Sequence, residues 1–238
     1  FSRLGRFTAS VAHEIRSPVG AMSHAGQLLE ESPHLSADDR RLTDIIAKNA
    51  ERVSTIINNV LSMSRREANR PERIRLGAWL LGFSEEFCAT MQWPAERLNI
   101  VACDGELEIR VDPSQLRQVV WNLCDNAIKY GLHRAGEGAG AGAGPSADNA
   151  VIEVRYGRLK PSARPYLEVA DRGPGIAPEN AERIFEPFYR APGASERDGG
   201  VGLGLALVKS IAQRHGGTVR CEAAASGQGA CFVVTLPL

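Results

Sequence analysis

The sequence lacks a long apolar run, an excess of either charge and any closely spaced pair of cysteines. Its 238 residues include 28 Lys and Arg against 28 Asp and Glu, so the formal net charge is zero. A dedicated nucleic-acid binder would carry a basic excess for phosphate contacts, and an acidic disordered tail would carry the opposite excess. No stretch approaches the ~18 apolar residues that a membrane-spanning helix needs. We therefore expect no direct nucleic-acid binding and no membrane contact by this part of the chain.

The five cysteines are far apart in the sequence and form no Cys-x-x-Cys motif. This pattern favours thiols that act as small apolar core residues over a zinc site or a disulfide framework. It also favours a reducing compartment. Because the sequence opens with Phe1 and has no signal peptide, we expect a piece of a longer chain or a processed one.

Residues 1–70 have the pattern of two long amphipathic helices. Apolar residues recur at steps of three and four, or their sums, in two series: Leu4, Val11, Ile15, Met22, Ala25 and Leu29, then Leu42, Ile46, Val53, Ile56, Val60 and Met63. A short turn at 32–36 separates the series, and Ser36 followed by acidic residues is typical of a helix N-cap. One hairpin cannot bury both stripes, so we expect a homodimer in which two hairpins form a four-helix bundle.

Residues 71–238 predict an α/β layered domain, with helices stacked on one mixed sheet. The predicted strands are Asn99–Cys103, Glu108–Val111, Val151–Arg158, Tyr166–Ala170, Thr218–Ala223 and Cys231–Leu236, and the predicted helices are Ala78–Met91, Ser114–Tyr130 and Val201–His215. Two segments are poor in core-forming residues. Ala135–Pro145 is rich in Gly and Ala and is typical of a flexible loop. Pro174–Gly200 is typical of a lid or a disordered loop.

The first chemical motif is His13-Glu14-Ile15-Arg16-Ser17-Pro18 in the first helix. Val11 and Ile15 belong to the apolar stripe, so His13 is expected to point toward solvent. A neutral imidazole near its ordinary pKa of ~6.5 is a good nucleophile. The adjacent Glu14 carboxylate can hold the ring and help to remove its proton. A lone helical histidine is more often only a surface residue.

The second motif places polar side chains along the helix predicted at 114–130. Gln118, Asn122 and Asn126 follow at steps of four on one face, with Lys129 and Tyr130 one turn later. Carboxamides suit a hydrated hard cation and phosphate oxygens, and a lysine adds positive charge. The alternative is an ordinary polar helix face.

Two glycine motifs complete the set. Asp171-Arg-Gly173-Pro-Gly175 directly follows a predicted strand, where the aspartate can accept from an exocyclic amine and the glycines allow close backbone approach. The run from Gly200 to Val208, with Gly202 and Gly204, opens a helix whose N–H groups can bind phosphate. It lacks the preceding strand of a dinucleotide-binding fingerprint, so that interpretation fails.

In this order, the four motifs resemble the H, N, G1 and G2 boxes of bacterial sensor histidine kinases, and Phe185–Arg190 resembles the intervening F box. The resemblance covers nearly the whole chain. The run from His13 to Leu29 is similar to the nitrogen-regulation and type IV pilus sensor kinases. Overall, the resemblance implies an α+β protein with residues 1–70 as dimerisation and phosphotransfer domain. Residues 71–238 would be an α/β sandwich that binds ATP, as in the gyrase, Hsp90 and MutL ATPases.

The resemblance also implies the activity and the residues that perform it. His13 would take a phosphoryl group from ATP with Glu14 as acid–base partner, and would pass it to an aspartate of a response regulator. Asn122 would hold Mg²⁺. The implied ATP-binding residues are Asn122, Asn126, Lys129, Tyr130, Asp171, Gly173, Gly175, Arg190, Gly200, Gly202, Leu203 and Gly204.

Alternatives remain open at this point. Ser17 occupies a position that is usually Asn or Thr in relatives with strong phosphatase activity, so it bears on the catalytic balance. A phosphatase-biased sensor kinase and an ATP-binding pseudokinase scaffold are both possible, as is a clamp ATPase of the Hsp90 or MutL type. A clamp ATPase would be expected to have a glutamate at the position of Gln118 and to lack the histidine-containing hairpin. We expect a cytoplasmic kinase core, with the full-length protein anchored in the bacterial inner membrane by a region upstream.

Overall fold

The structure, a computed structural model, divides the chain into two compact units: residues 1–67 with 199–203, and residues 68–198 with 204–238. It describes residues 15, 17–29, 32, 34–64, 70–131, 152–192, 201–224 and 229–236. The Gly/Ala-rich segment predicted at 135–145 lies outside them. Among the helices so described, none combines the length and apolar character needed to cross a bilayer.

The first unit contains two helices. Helix α1 is described at residues 15 and 17–29, and helix α2 spans Ala37–Ser64. A reciprocal cap starts α2: the Asp39 N–H donates to Ser36 Oγ at 3.1 Å, and the Ser36 hydroxyl donates to the Asp39 carboxylate at 2.6 Å. The N-cap predicted at Ser36 is therefore confirmed.

The core of this hairpin is offset from the predicted apolar stripes. The buried cluster consists of Val19, Ala50, Ile57 and Leu61. Small residues let the helices approach, because an added Cβ on Gly26 would lie only 3.4 Å from the Cβ of Ala47. Between 37% and 59% of each of these predicted stripe residues is exposed in the single chain: Ile15, Met22, Leu29, Leu42, Ile46 and Val53. An apolar surface is thus left for another partner to cover.

The second unit is built on a five-stranded mixed sheet in the order β2-β4-β5-β7-β6. Its strands are β2 (Leu98–Ala102), β4 (Ile152–Arg158), β5 (Pro165–Asp171), β6 (Val219–Ala223) and β7 (Ala230–Thr235). Strands β2 and β4 are parallel, and the other neighbours are antiparallel. An additional antiparallel ribbon joins β1 (Glu72–Arg75) to β3 (Glu108–Val111). The mixed sheet was predicted, but β1 was not, because three of its four residues are charged.

The described residues of this unit include three helices: α3 (Leu76–Met91), α4 (Pro113–Gly131) and α5 (Gly204–Arg214). Alternate residues of β5 are buried, so one face of the sheet forms the core. Helix α4 packs on β4 and β5 and also contacts α5. Helix α5 begins at Gly204 rather than at the predicted Val201, since Gly202 has a φ of +74° that no right-handed helix contains.

Much of the predicted lid is folded. Residues 174–192 contain short 3₁₀ turns at Pro178–Asn180 and Arg183–Phe185. Phe185 is buried and meets Phe232 of β7 edge-to-face at 6.4 Å. An aromatic anchor therefore ties this segment to the sheet, so the disordered alternative was wrong for this part, and the lid alternative stays a prediction. Residues 193–200 lie outside the described ranges.

All five cysteines carry free thiols. Cys124 and Cys231 are buried as expected of core residues, whereas Cys103 is exposed, so the prediction was wrong for that side chain. Burial raises the pKa of the Cys221 thiol to about 11, with smaller contributions from Asp171 and Glu222. This thiol therefore stays protonated at neutral pH.

The carboxylate of Asp112 joins the entry of the second unit to α4. Its Oδ1 accepts from the N–H groups of Ser114 at 3.0 Å and Gln115 at 3.4 Å, and its Oδ2 accepts from the Arg70 N–H at 3.1 Å. Burial alone would raise the pKa of Asp112, but the hydrogen bonds outweigh it and hold the pKa below its ordinary value. The same side chain caps α4 and fixes the backbone where the unit begins.

We expect the substitution Asp112→Ala to lower the free energy of unfolding by about 1–2 kcal/mol, because it removes this cap. The folded-state pKa is depressed, so the contribution is present above the unfolded pKa of ~3.9 and is lost as the pH falls through the folded value. Urea unfolding as a function of pH measures the difference.

The matched control is Asp104→Ala, which removes an exposed ion pair to Arg158 at 3.0 Å. It should cost well under about 1 kcal/mol. Equal losses in the two variants, or a loss in Asp112→Ala that does not change with pH, would contradict the capping role.

Candidate functional site

Helix α4 contacts two glycine-containing loops at separate points along its length. An added Cβ on Gly173 would lie 2.6 Å from the carbonyl oxygen of Tyr130, at the C-terminal end of the helix. An added Cβ on Gly204 would lie 2.8 Å from Asn122 Oδ1, in the middle of the helix. The two contact points are eight residues apart, or about 12 Å of helix. The loops are therefore held at fixed positions along a single rigid element.

At the first of these points, Asp171 ends β5 as a buried carboxylate that is 7% exposed. Its Oδ1 accepts two backbone hydrogen bonds, from Gly173 at 2.8 Å and from Ala230 at 3.0 Å. Burial raises the pKa of Asp171, and the two N–H groups offset part of this effect. Within the described residues Oδ2 has no hydrogen-bond partner. It can therefore accept from a donor on a ligand.

Gly229 supports this carboxylate and was missed in the sequence. Its φ is +98°, and an added Cβ would overlap the carbonyl oxygen of Asp171. The motif residue Gly175 has a φ of +76° and packs against the Gly229 carbonyl, which would be 3.1 Å from an added Cβ. The signal that could have identified Gly229 is its place in the turn between two predicted strands, β6 and β7.

At the second point, the Asn122 side chain is oriented by its own helix. Its Nδ2 donates to the Gln118 carbonyl oxygen at 2.7 Å, which leaves Oδ1 beside Gly204 at the start of α5. A hard oxygen ligand therefore lies next to a helix N-terminus, whose N–H groups favour anions. This combination suits a phosphate chain with a bound Mg²⁺ ion.

A charged pair lies between the two points on α4. Lys129 Nζ is 2.5 Å from Asp125 Oδ2, and the side chains are only 37% and 23% exposed. Asp125 was not predicted as part of the site, although an acidic residue four positions before a lysine is a recognised helical pairing. Asn126 lies on the same helix and is half-buried.

The other predicted residues are distributed as follows. Ser17 is exposed on α1, whereas His13, Glu14 and Gly200 lie outside the described residues. Leu203 is buried immediately before α5. Arg190 is half-buried after the folded segment, where the Tyr189 hydroxyl donates to Asn180 Oδ1 at 2.6 Å.

Two family models match this chain. Residues 3–69 match the His Kinase A (phospho-acceptor) domain. Residues 111–238, more than half of the chain, match the histidine kinase-, DNA gyrase B- and HSP90-like ATPases. The chain therefore belongs to the bacterial two-component sensor histidine kinases. The predicted order of a helical phosphoacceptor region and an α/β ATPase sandwich is confirmed.

Curated relatives agree with this assignment. The chain is 36% identical over 232 residues to sensor protein kinase PilS of Pseudomonas aeruginosa, covering 98% of this chain and 40% of that protein. It is 32% identical over 247 residues to histidine protein kinase DivJ of Caulobacter vibrioides, covering 98% and 37%. The chain thus spans less than half the length of either relative.

Solved structures show the same fold. Full-length ShkA in complex with AMPPNP matches with a TM-score of 0.67 at 24% identity, over 98% of this chain and 45% of that one. The histidine kinase ThkA in complex with the response regulator TrrA matches with a TM-score of 0.61 at 24% identity, over 99% and 62%.

We expect Gly229→Ala to destabilise the chain by about 2 kcal/mol or more, because a methyl group would overlap the Asp171 backbone at an unfavourable φ. Gly82→Ala is the control, since Gly82 lies in α3 and an added Cβ meets nothing within 4 Å. That change should stabilise by about 0.5–1 kcal/mol through helix propensity. Urea unfolding of both variants checks the pair, and a neutral Gly229→Ala would refute the close contact.

Proposed function

We propose that this chain is a kinase core that binds ATP with Mg²⁺, phosphorylates His13 and passes the phosphoryl group to an aspartate of a response regulator. The observation that carries the proposal is the arrangement along α4. The buried carboxylate of Asp171, with one available oxygen, is bonded to Gly173, which meets α4 at Tyr130. The carboxamide oxygen of Asn122, beside a helix N-terminus, belongs to a position about 12 Å along the same helix from Tyr130. This spacing suits a ligand with a base at one end and phosphates at the other.

At the base end, Asp171 Oδ2 accepts from the exocyclic amine of adenine. The two hydrogen bonds to Oδ1 orient the carboxylate, so little conformational entropy is lost on binding. Gly173 and Gly175 let the backbone approach the ring closely, and Tyr130 lies beside the nucleotide. The assignment of adenine comes from the family resemblance, and the buried carboxylate supports it.

At the phosphate end, Asn122 Oδ1 is the protein ligand for Mg²⁺, which usually retains waters and phosphate oxygens as its remaining ligands. Bound Mg²⁺ neutralises charge that develops on the transferring phosphoryl group. The start of α5 supplies backbone N–H groups for the phosphates, and the family resemblance assigns Gly200, Gly202, Leu203 and Gly204 to this role. Asn126, Lys129 and Arg190 supply further polar and positive groups.

During transfer, a ring nitrogen of His13 forms a bond to the γ-phosphorus while the bond from phosphorus to the ADP oxygen breaks. Glu14 orients the imidazole and takes the proton that its nitrogen loses. The product phosphohistidine remains reactive enough to pass its phosphoryl group to an aspartate. The related complex of ThkA with the response regulator TrrA supports a response regulator as the partner.

The domain and assembly assignments follow the same proposal. Residues 1–70 form the dimerisation and phosphotransfer domain, and residues 71–238 form the ATP-binding domain. The exposed apolar stripe of α1 and α2, with Met22 and Leu42 each more than half exposed, supports a homodimer. The core works in the cytoplasm, where ATP is available, and a membrane anchor in the longer protein stays part of the proposal.

The substitution His13→Gln should abolish the uptake of acid-labile, base-stable label from γ-labelled ATP, because glutamine keeps the polarity but has no nucleophilic ring nitrogen. Nucleotide affinity should not change, since the phosphoacceptor lies on the other domain. His24→Gln is the control, because His24 belongs to the same predicted helix and has no adjacent carboxylate.

Two results would decide against the assignment of His13. One is acid-labile label on the His13→Gln protein. The other is full loss of label in His24→Gln.

Ser17 sets the balance between kinase and phosphatase activity. It lies one turn after His13, and its short hydroxyl can fold back to the carbonyl four residues earlier. We expect Ser17→Asn to increase dephosphorylation of the regulator, because asparagine has two polar atoms to orient the attacking water. Autophosphorylation should persist.

The measurement is the decay rate of the phosphorylated regulator in the presence of each variant. Equal decay rates with the wild-type chain and with Ser17→Asn, or faster decay with the wild-type chain, would show that Ser17 does not set this balance.

A further inference from the structure

The nucleotide site contains an acidic side chain that the proposed function does not use. Asp125 holds Lys129 at 2.5 Å, one turn apart on α4, between the contacts of α4 with Gly204 and Gly173. Lys129 is therefore paired with a carboxylate of its own helix. A phosphate group that approaches this lysine meets a negative charge in its immediate surroundings.

A second ion pair in the chain provides a comparison. Asp44 and Lys48 have the same spacing on α2 and an Nζ–Oδ2 distance of 2.7 Å, but their side chains are 47% and 72% exposed. Asp125 and Lys129 are about half as exposed as this pair. Solvent screens their interaction less, so breaking it costs more.

We propose that Asp125 competes with the phosphates of the nucleotide for Lys129 and so lowers the affinity of the site for ATP. The proposal rests on the proposed function, because it takes ATP as the ligand and Lys129 as a phosphate contact. Binding of the phosphate chain exchanges one anionic partner of Lys129 for another. The contribution of Lys129 to the affinity for ATP is therefore the difference between its pairing with the phosphates and its pairing with Asp125.

The competition affects only ligands that carry phosphates. Adenosine would use the Asp171 end of the site and leave the pair on α4 intact. Replacing Asp125 should therefore change the affinity for a nucleotide but not for its nucleoside. A general change in folding or helix stability would alter both affinities.

The test is calorimetric binding of AMPPNP with Mg²⁺, and of adenosine, to the wild-type chain and to Asp125→Asn. We expect AMPPNP to bind about two- to fivefold more tightly to the variant, from the loss of one partly buried competing pair. Adenosine should bind equally to both. The gain for AMPPNP should shrink as ionic strength rises.

Four further variants make the result specific. Asp44→Asn removes the exposed pair of identical spacing and should change neither affinity. Lys129→Met combined with Asp125→Asn should show no gain over Lys129→Met alone, since the contested cation is absent. Asp171→Asn should weaken both ligands, which shows that adenosine reports on the same site.

Unchanged or weaker AMPPNP binding by Asp125→Asn would overturn the proposal, because the carboxylate would then be neutral or helpful to the phosphates. An equal gain for adenosine would also overturn it. If the wild-type chain bound neither ligand, the proposed function itself would fail, and this outcome is distinct from the others.

Discussion

The second unit depends on the close approach of loop backbone to helix α4. At Gly173 and at Gly204, an added Cβ would lie within 3 Å of an atom of this helix. Only glycine fits at these two positions, because any side chain would collide with the helix. The loop backbone therefore packs directly against α4, with no flexible side chain between them. Asp112 extends the same constraint to the start of the unit, because one carboxylate caps α4 and binds the backbone at Arg70. Helix, loops and entry segment therefore form one connected support for the site.

This connection explains how weak local signals combine into a functional site. Each glycine motif by itself is a common turn, and each polar residue on α4 could be an ordinary solvated position. The contacts give them fixed places: the carboxylate of Asp171 at one end, the carboxamide of Asn122 at the other and a charged pair between them. The chemistry lies in the relative positions of these groups, and the helix sets those positions.

Much of this arrangement could be predicted from the sequence, because it depends on residue types at fixed spacing along one element. The face of α4 that carries Asn122 and Lys129 follows from helical periodicity, and the N-cap at Ser36 follows from local chemistry. Gly229 was missed: its place between two predicted strands indicates a turn, but its contact with the end of β5 depends on an approach between distant parts of the chain. Strand β1 was missed because its charged residues lack strand-like alternation, and its pairing with β3 is decided by distant residues.

The apolar stripes of the hairpin show a related limit and have a thermodynamic consequence. Periodicity did not identify the residues of the buried cluster. Stripe residues such as Met22 and Ile46 stay exposed in the single chain, in line with the expectation that one hairpin cannot bury both stripes. In the described part of the first unit only four apolar residues form the buried cluster. In the proposed homodimer, much of the free energy of folding of this unit would come from association with a second copy. Its apparent melting temperature would then rise with protein concentration, so dilution alone could unfold the phosphoacceptor helices while the ATP-binding unit stays intact.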